Sequence, residues 1–167
     1  MAIFERRKKC MYTWKGVADW ILQNINDVTE KKLQRLMYFA YAWYLVFCNE
    51  SANEIENRLF NEHFEAWIHG PVLPALYQDI KEFHGNDIPK NYFEKYREHF
   101  STDTLSLFGQ IKKVYGTYNE NQLESIAHQE DPWIHARKGC SSSEICNNII
   151  TDEKIFTYYR KRNGKEK

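Results

Sequence analysis

Apolar residues recur along this chain in steps of three and four, broken by short polar stretches. Trp14, Val17, Ala18, Ile21 and Leu22 keep helical spacing and predict a first amphipathic helix. Asn26-Asp27 interrupts it. Thr29 stands where a cap is needed for a second helix, with Glu30 in its first turn favoured by the helix dipole. Leu33, Leu36, Met37, Ala40, Trp43, Tyr44 and Phe47 continue that helix. From Leu36 onward it is apolar nearly all round, which puts it at the centre of a core. The run from Leu36 to Cys48 is thirteen residues. A bilayer span needs about 20, so this is a buried helix, and Cys48 within it reads as inert core.

The rhythm then changes. Leu59, Phe60, Phe64, Trp67 and Ile68 keep no helical period and predict a hairpin of two small strands within 58–68. Gly70-Pro71 is strong punctuation, and Pro74 suits the first turn of the helix that follows. Leu73, Leu76, Tyr77, Ile80 and Phe83 share one face of that helix, and Gly85 supplies its stop. Residues 86–104 read as a long loop with one helical turn. Asp103 or Thr104 opens a helix with Leu105, Phe108, Ile111 and Tyr115 inward, closed by Gly116. Asn119 and Gln122 have capping-box spacing ahead of Leu123, Ile126 and Ala127. Asp131-Pro132 predicts a short helix through Arg137, ended by Gly139. Ser141 with Glu144 caps a further turn, and Thr151 opens a last helix carrying Ile155, Tyr158 and Tyr159. The expected fold is mainly α: a single compact helical domain with a short β-hairpin. A basic segment (1–13) precedes the domain (14–162), and a polar tail (163–167) follows it.

Charge narrows the choice of partners. With 23 Lys and Arg against 23 Asp and Glu, the net charge is zero, which argues against whole-surface attraction to nucleic acid or membrane. Arg6-Arg7-Lys8-Lys9 and Arg160-Lys161-Arg162 are local basic clusters that read as solvated ends. Aromatics make up 16% of the chain, supplying core area and, where exposed, protein contacts. Cys10, Cys48, Cys140 and Cys146 form no C-x-x-C pair, and the simpler reading is a reduced, cytoplasmic chain.

Candidate chemistry is sparse. His63 and His69 lie near Glu62 and Glu65, and His128, Glu130 and His135 surround Pro132. Imidazole and carboxylate suit zinc, yet none of these has the H-E-x-x-H spacing that sets two ligands on one helix face. There is no Gly-rich phosphate loop after a strand and no G-x-S-x-G elbow. No enzyme and no cofactor are expected. The more informative stretches are two proline-fixed corners, Glu65 to Tyr77 and His128 to Arg137, each carrying His and Trp beside a helix start.

Those corners also carry a resemblance. Lys32-Leu33-Gln34-Arg35-Leu36-Met37-Tyr38-Phe39-Ala40 with Trp43, then Leu59-Phe60, come first. Glu65-Ala66-Trp67 with Gly70-Pro71-Val72, Pro74 and Leu76-Tyr77 follow, then His128-Gln129-Glu130, Pro132-Trp133 and Ala136-Arg137. This ordered set, with the closing 155–159 segment, resembles the Panacea domain, the SocA-like antitoxin domain also found in phage-associated proteins of the GepA type. The resemblance implies a mainly helical domain that neutralises a toxin, encoded beside it, by direct protein–protein contact. It also implies that one domain type meets many unrelated toxins. Some members act instead as adaptors delivering a toxin to a protease. Others carry a DNA-binding segment, for which the thirteen residues before Trp14 are too few. The expected contact surface is the paired corners: His69, Gly70, Pro71 and Tyr77 with His128, Glu130, Trp133 and Arg137. Gly70, Pro71 and Pro132 would shape it, Tyr77, Trp133 and Arg137 anchor it, and His128 and Glu130 give polar specificity. Three rivals stay open: the adaptor, a metal-dependent hydrolase built on His69, His128 and His135, and a DNA-binding regulator using the basic ends. The toxin's identity and the oligomeric state are not legible.

Overall fold

The computed structural model describes residues 12–164; the basic 6–9 cluster lies outside them. Helix α1 (Trp14–Asn24) is capped by the Thr13 side chain and buries the expected apolar face. Asp27 takes a positive φ of 54° at the break. Thr29 then caps α2 (Glu30–Cys48), its hydroxyl accepting from the Lys32 backbone N–H. As its all-round apolar sequence requires, α2 is the central element, packed against by helices on every side. Leu33, Leu36, Met37, Tyr38, Phe39 and Leu45 are fully buried along it. Its end differs from expectation. Phe47 is 52% exposed and Cys48 is exposed rather than core, while Leu45 and Val46 in the same last turn stay buried.

The hairpin forms, but displaced. Strand β1 (Phe64–Trp67) pairs antiparallel with β2 (Gly70–Val72), so Gly70-Pro71 lies within the second strand instead of following the hairpin. A third strand, β3 (Ile149–Ile150), pairs with the other edge of β1 and completes the order β2-β1-β3. Sequence pattern gave no sign of it, since two residues show no alternation.

Pro74 opens α3 (Pro74–Ile80) as expected, and the chain passes through a 3₁₀ turn, Lys81–Phe83, to a left-handed His84. The long loop holds one further 3₁₀ turn, Glu94–Tyr96. Ser101, not Asp103 or Thr104, caps α4 (Thr102–Tyr115). Its inner face is Thr104, Leu107, Phe108, Ile111 and Tyr115, while Leu105 is 42% exposed, at the margin of that face. The capping box at Asn119 and Gln122 starts α5 (Glu120–His128). Glu130, one residue before the expected cap, precedes α6 (Asp131–Ala136), and Thr151 caps α7 (Asp152–Arg162). The observed fold is mainly α with a small three-stranded sheet. Among the described residues, no helix is long and apolar enough to cross a membrane.

Candidate functional site

The two corners meet, and they meet through the backbone of the hairpin. Three side chains from α5, α6 and the residue after it donate to consecutive carbonyls of β1 and its turn. Arg137 Nη1 reaches Ala66 O at 2.8 Å, Trp133 Nε1 reaches Trp67 O at 2.8 Å, and His128 Nε2 reaches Ile68 O at 3.0 Å. Because a carbonyl only accepts, the His128 proton belongs on Nε2. The imidazole stacks on Trp133 with centroids 4.3 Å apart and planes 20° apart, and the Arg137 guanidinium lies 5.4 Å from the same indole. Burial holds the His128 pKa below its ordinary value, with Glu124 opposing.

A second grip comes from the central helix. Arg35, 2% exposed, donates from Nη1 to Pro71 O and from Nη2 to His69 O. Next to it, Gln34 makes a two-point bond to Leu73, accepting from its N–H at 2.8 Å and donating to its carbonyl at 3.3 Å. Arg35 has no carboxylate within ion-pair distance among the described residues. Burial pulls its pKa down to about 10, against the more distant Glu124 and Glu120, which leaves it a cation at neutral pH. Gly70 is shaped by this contact. It sits at φ +122°, and a Cβ there would lie 2.8 Å from the Arg35 guanidinium carbon.

The expected contact residues therefore divide. Glu130 is 2% exposed and Arg137 7%, with their polar atoms engaged inside the protein. The Tyr159 hydroxyl donates to both Glu130 oxygens, at 2.7 and 2.8 Å. Burial nevertheless raises the Glu130 carboxyl to about 7; Tyr159, Arg162 and Tyr38 oppose, though the Tyr38 hydroxyl makes no well-aligned hydrogen bond. Arg137 also donates to Ser141 O and Glu144 O, tying the 141–145 loop to β1. Gly70 and Pro71 are buried in β2. Trp133 and His128 are half-buried. His69 is exposed, its Nδ1 3.3 Å from Glu124 Oε2, and Tyr77 is half-buried with its ring edge-on to Trp67 at 5.0 Å.

These last residues border an apolar cavity of about 210 Å³, walled by Trp67, Ile68, Val72, Tyr77, Ile80 and Ile145, with Arg35 and Glu30 also in its lining. Ile145 is 81% exposed, presented on a loop closed by a disulfide between Cys140 and Cys146, whose sulfurs are 2.32 Å apart. The expectation of reduced thiols is thereby corrected for that pair. Among the described residues, no three His, Cys, Asp or Glu side chains are grouped to hold a metal ion, and His135 lines a different hollow from His69.

Sequence reasoning missed Gln34 and Arg35 as the residues that shape the corner. A signal was present: two adjacent polar residues on the inner side of a helix otherwise filled with apolar ones demand partners.

The model of the antitoxin SocA-like, Panacea domain family matches residues 33–134. This chain belongs to that family. The match begins at the Gln34-Arg35 grip and runs through both corners to Trp133 and Ile134. No curated protein and no solved structure matches the chain. In this member the hairpin carbonyls at 66, 67, 68, 69 and 71 are all held by side chains.

Proposed function

We propose that this chain is an antitoxin that silences a partner toxin, the product of an adjacent gene, by direct protein–protein contact in the cytoplasm. The observation that carries the reading is the apolar cavity with exposed Ile145 at its edge, on a fixed hairpin, in a chain of the antitoxin SocA-like family. The contact surface centres on His69 and Tyr77, with the outer edges of His128 and Trp133 beside them. Gly70, Pro71 and Pro132 shape it, and Glu130 and Arg137 hold its frame. Neutralisation by contact needs a rigid surface and no reacting group, and about 1,600 Å² of buried area with a few aromatic or Arg anchors suffices.

Co-expression with the neighbouring open reading frame, scoring growth and co-purification together, tests this. A neighbour that is toxic alone, harmless in company and recovered in a stable complex supports neutralisation by binding. Rescue with falling toxin abundance and no complex replaces it with delivery to a protease. A neighbour harmless on its own removes the cognate pairing.

A further inference from the structure

We infer that the open hollow between α6 and α7 docks an acidic segment of the partner toxin, one whose carboxylates flank an apolar side chain. The inference rests on the antitoxin reading above and adds to it a second, electrostatic contact.

The hollow encloses about 340 Å³. Lys138, just past α6, and Lys154 and Lys161 of α7 line it, against a single carboxylate, that of Asp131. Lys154 and Lys161 are two helical turns apart and so share one face of α7. All three lysines are exposed, and among the described residues no carboxylate comes within ion-pair distance of any of them. Arg162 adds a further cation beside the hollow, donating to the hydroxyl of its lining residue Tyr158 at 3.4 Å. In a chain of zero net charge this is a local positive excess. A concave site lined by one sign of charge, with low-dielectric walls, concentrates the opposite charge. Pro132, Ile134 and Tyr158 supply those walls here.

The same residues favour an acidic polypeptide over nucleic acid. Ile134 is 46% exposed in the hollow, an apolar contact of the kind that protein interfaces use and a phosphate backbone does not. Among the lining residues the full positive charges are lysines, point charges without the guanidinium fork that matches phosphate two-fold. Tyr158, the one aromatic ring in that lining, is half-buried, which leaves no platform on which successive bases could stack. The hollow also continues the surface proposed above. Trp133 of α6 bonds to Trp67 O in the hairpin, and its two successors, Ile134 and His135, line the hollow, so one partner can cover both.

The test is the association rate of the full chain with the neighbouring gene product across a salt series, by stopped-flow fluorescence, with neutralisation scored in parallel. Lys138→Glu/Lys154→Glu/Lys161→Glu changes only exposed side chains and should melt as the parent does. Its association is expected to be about 10-fold slower or more at about 0.05 M salt, and within about twofold of the parent near 1 M, where charges are screened over about 3 Å. Lys95→Glu/Lys112→Glu/Lys113→Glu makes the same change in net charge at exposed positions elsewhere, and is expected to slow association by no more than about threefold. Ile134→Ser is expected to speed dissociation several-fold and leave the salt dependence unchanged. If the parent binds and neutralises, and the hollow variant matches the control variant at every salt concentration, the docking inference falls and the antitoxin reading stands. A short DNA duplex or RNA strand that binds the parent and not the hollow variant, while toxin binding is equal in both, gives the hollow to nucleic acid and overturns the inference. If the parent neither binds nor neutralises, the antitoxin reading itself falls, and this inference with it.

Discussion

Glu130→Gln should make this protein more stable at neutral and alkaline pH while leaving it nearly unchanged in acid. Glu130 is buried, and its carboxyl is raised from 4.5 to about 7 chiefly by burial. Below about pH 4.5 the group is neutral in both folded and unfolded chains. As pH rises towards 7 the unfolded chain releases the proton first, so the folded state holds more protons and its stability falls. Above 7 the full penalty of a buried anion remains. A difference of about 2.5 pH units corresponds to about 3 kcal/mol at 1.36 kcal/mol per unit.

The amide keeps the geometry. Its oxygen accepts from the Tyr159 hydroxyl, and its NH₂ can donate to the Tyr38 hydroxyl, which lacks a partner. Urea unfolding followed by tryptophan fluorescence at pH 5 and pH 8 measures the difference between parent and variant. The expected advantage of Gln is small at pH 5 and about 2–3 kcal/mol at pH 8, or roughly 5–10 °C in Tm for a chain of this size. Equal destabilisation at both values would refute the reasoning. It would mean that Glu130 is ionised in the fold and that Tyr159 and Arg162 stabilise the anion by more than burial costs it.

Other consequences are read more directly. Gly70→Ala places a Cβ against the Arg35 guanidinium at a φ of +122° and should cost about 3 kcal/mol by chemical denaturation; an unchanged midpoint would refute the close approach. Trp133→Ala loses the indole bond to Trp67 O and the stack on His128, so the melting temperature should fall by an amount equivalent to about 2–4 kcal/mol. Lost partner binding with an unchanged melt would instead make Trp133 a surface anchor. Iodoacetamide without reductant should label Cys48 and spare Cys140 and Cys146, which become reactive only after reduction; mass spectrometry of tryptic peptides reads both.

What the sequence disclosed was mostly local. Thr29, Thr151 and the Asn119–Gln122 pair cap the helices they were expected to cap, because a cap is a contact between residues three apart. The central helix was legible because an all-round apolar stretch of its length has nowhere else to go. Misreadings arose where distant segments decide. Strand β3 exists by pairing with residues about 85 positions earlier, and Gly70-Pro71 reads as a corner until its Cα partners Ala66 and Trp67 are known. Glu130 and Arg137, in a polar stretch, look like surface; Tyr159 and the carbonyl of Ala66 draw them inside. Leu105 shows the limit of periodicity, since apolar residues at the margin of a helix face can fall either way.

A sheet of strands four, three and two residues long is too small to hold itself together. Here its stability is borrowed from helices: Arg35 from α2, His128 from α5, and Trp133 and Arg137 from α6 and its end each hold hairpin carbonyls. Arg35 and Arg137 are buried and His128 and Trp133 half-buried, whereas Ile145, His69 and Lys31 at the cavity are exposed. Arg35 and Arg137 thus form a buried frame distinct from the exposed rim residues Ile145, His69 and Lys31. Replacing Arg35 or Arg137 leaves buried carbonyls unpaired and threatens the fold, whereas replacing exposed Ile145 or Lys31 costs little stability and, on the function proposed above, changes what the surface recognises. A domain built this way can change partners by changing its rim while its frame stays fixed. That division predicts rim substitutions that abolish one partner's binding without lowering the melting temperature, and frame substitutions that cannot lose binding without lowering it.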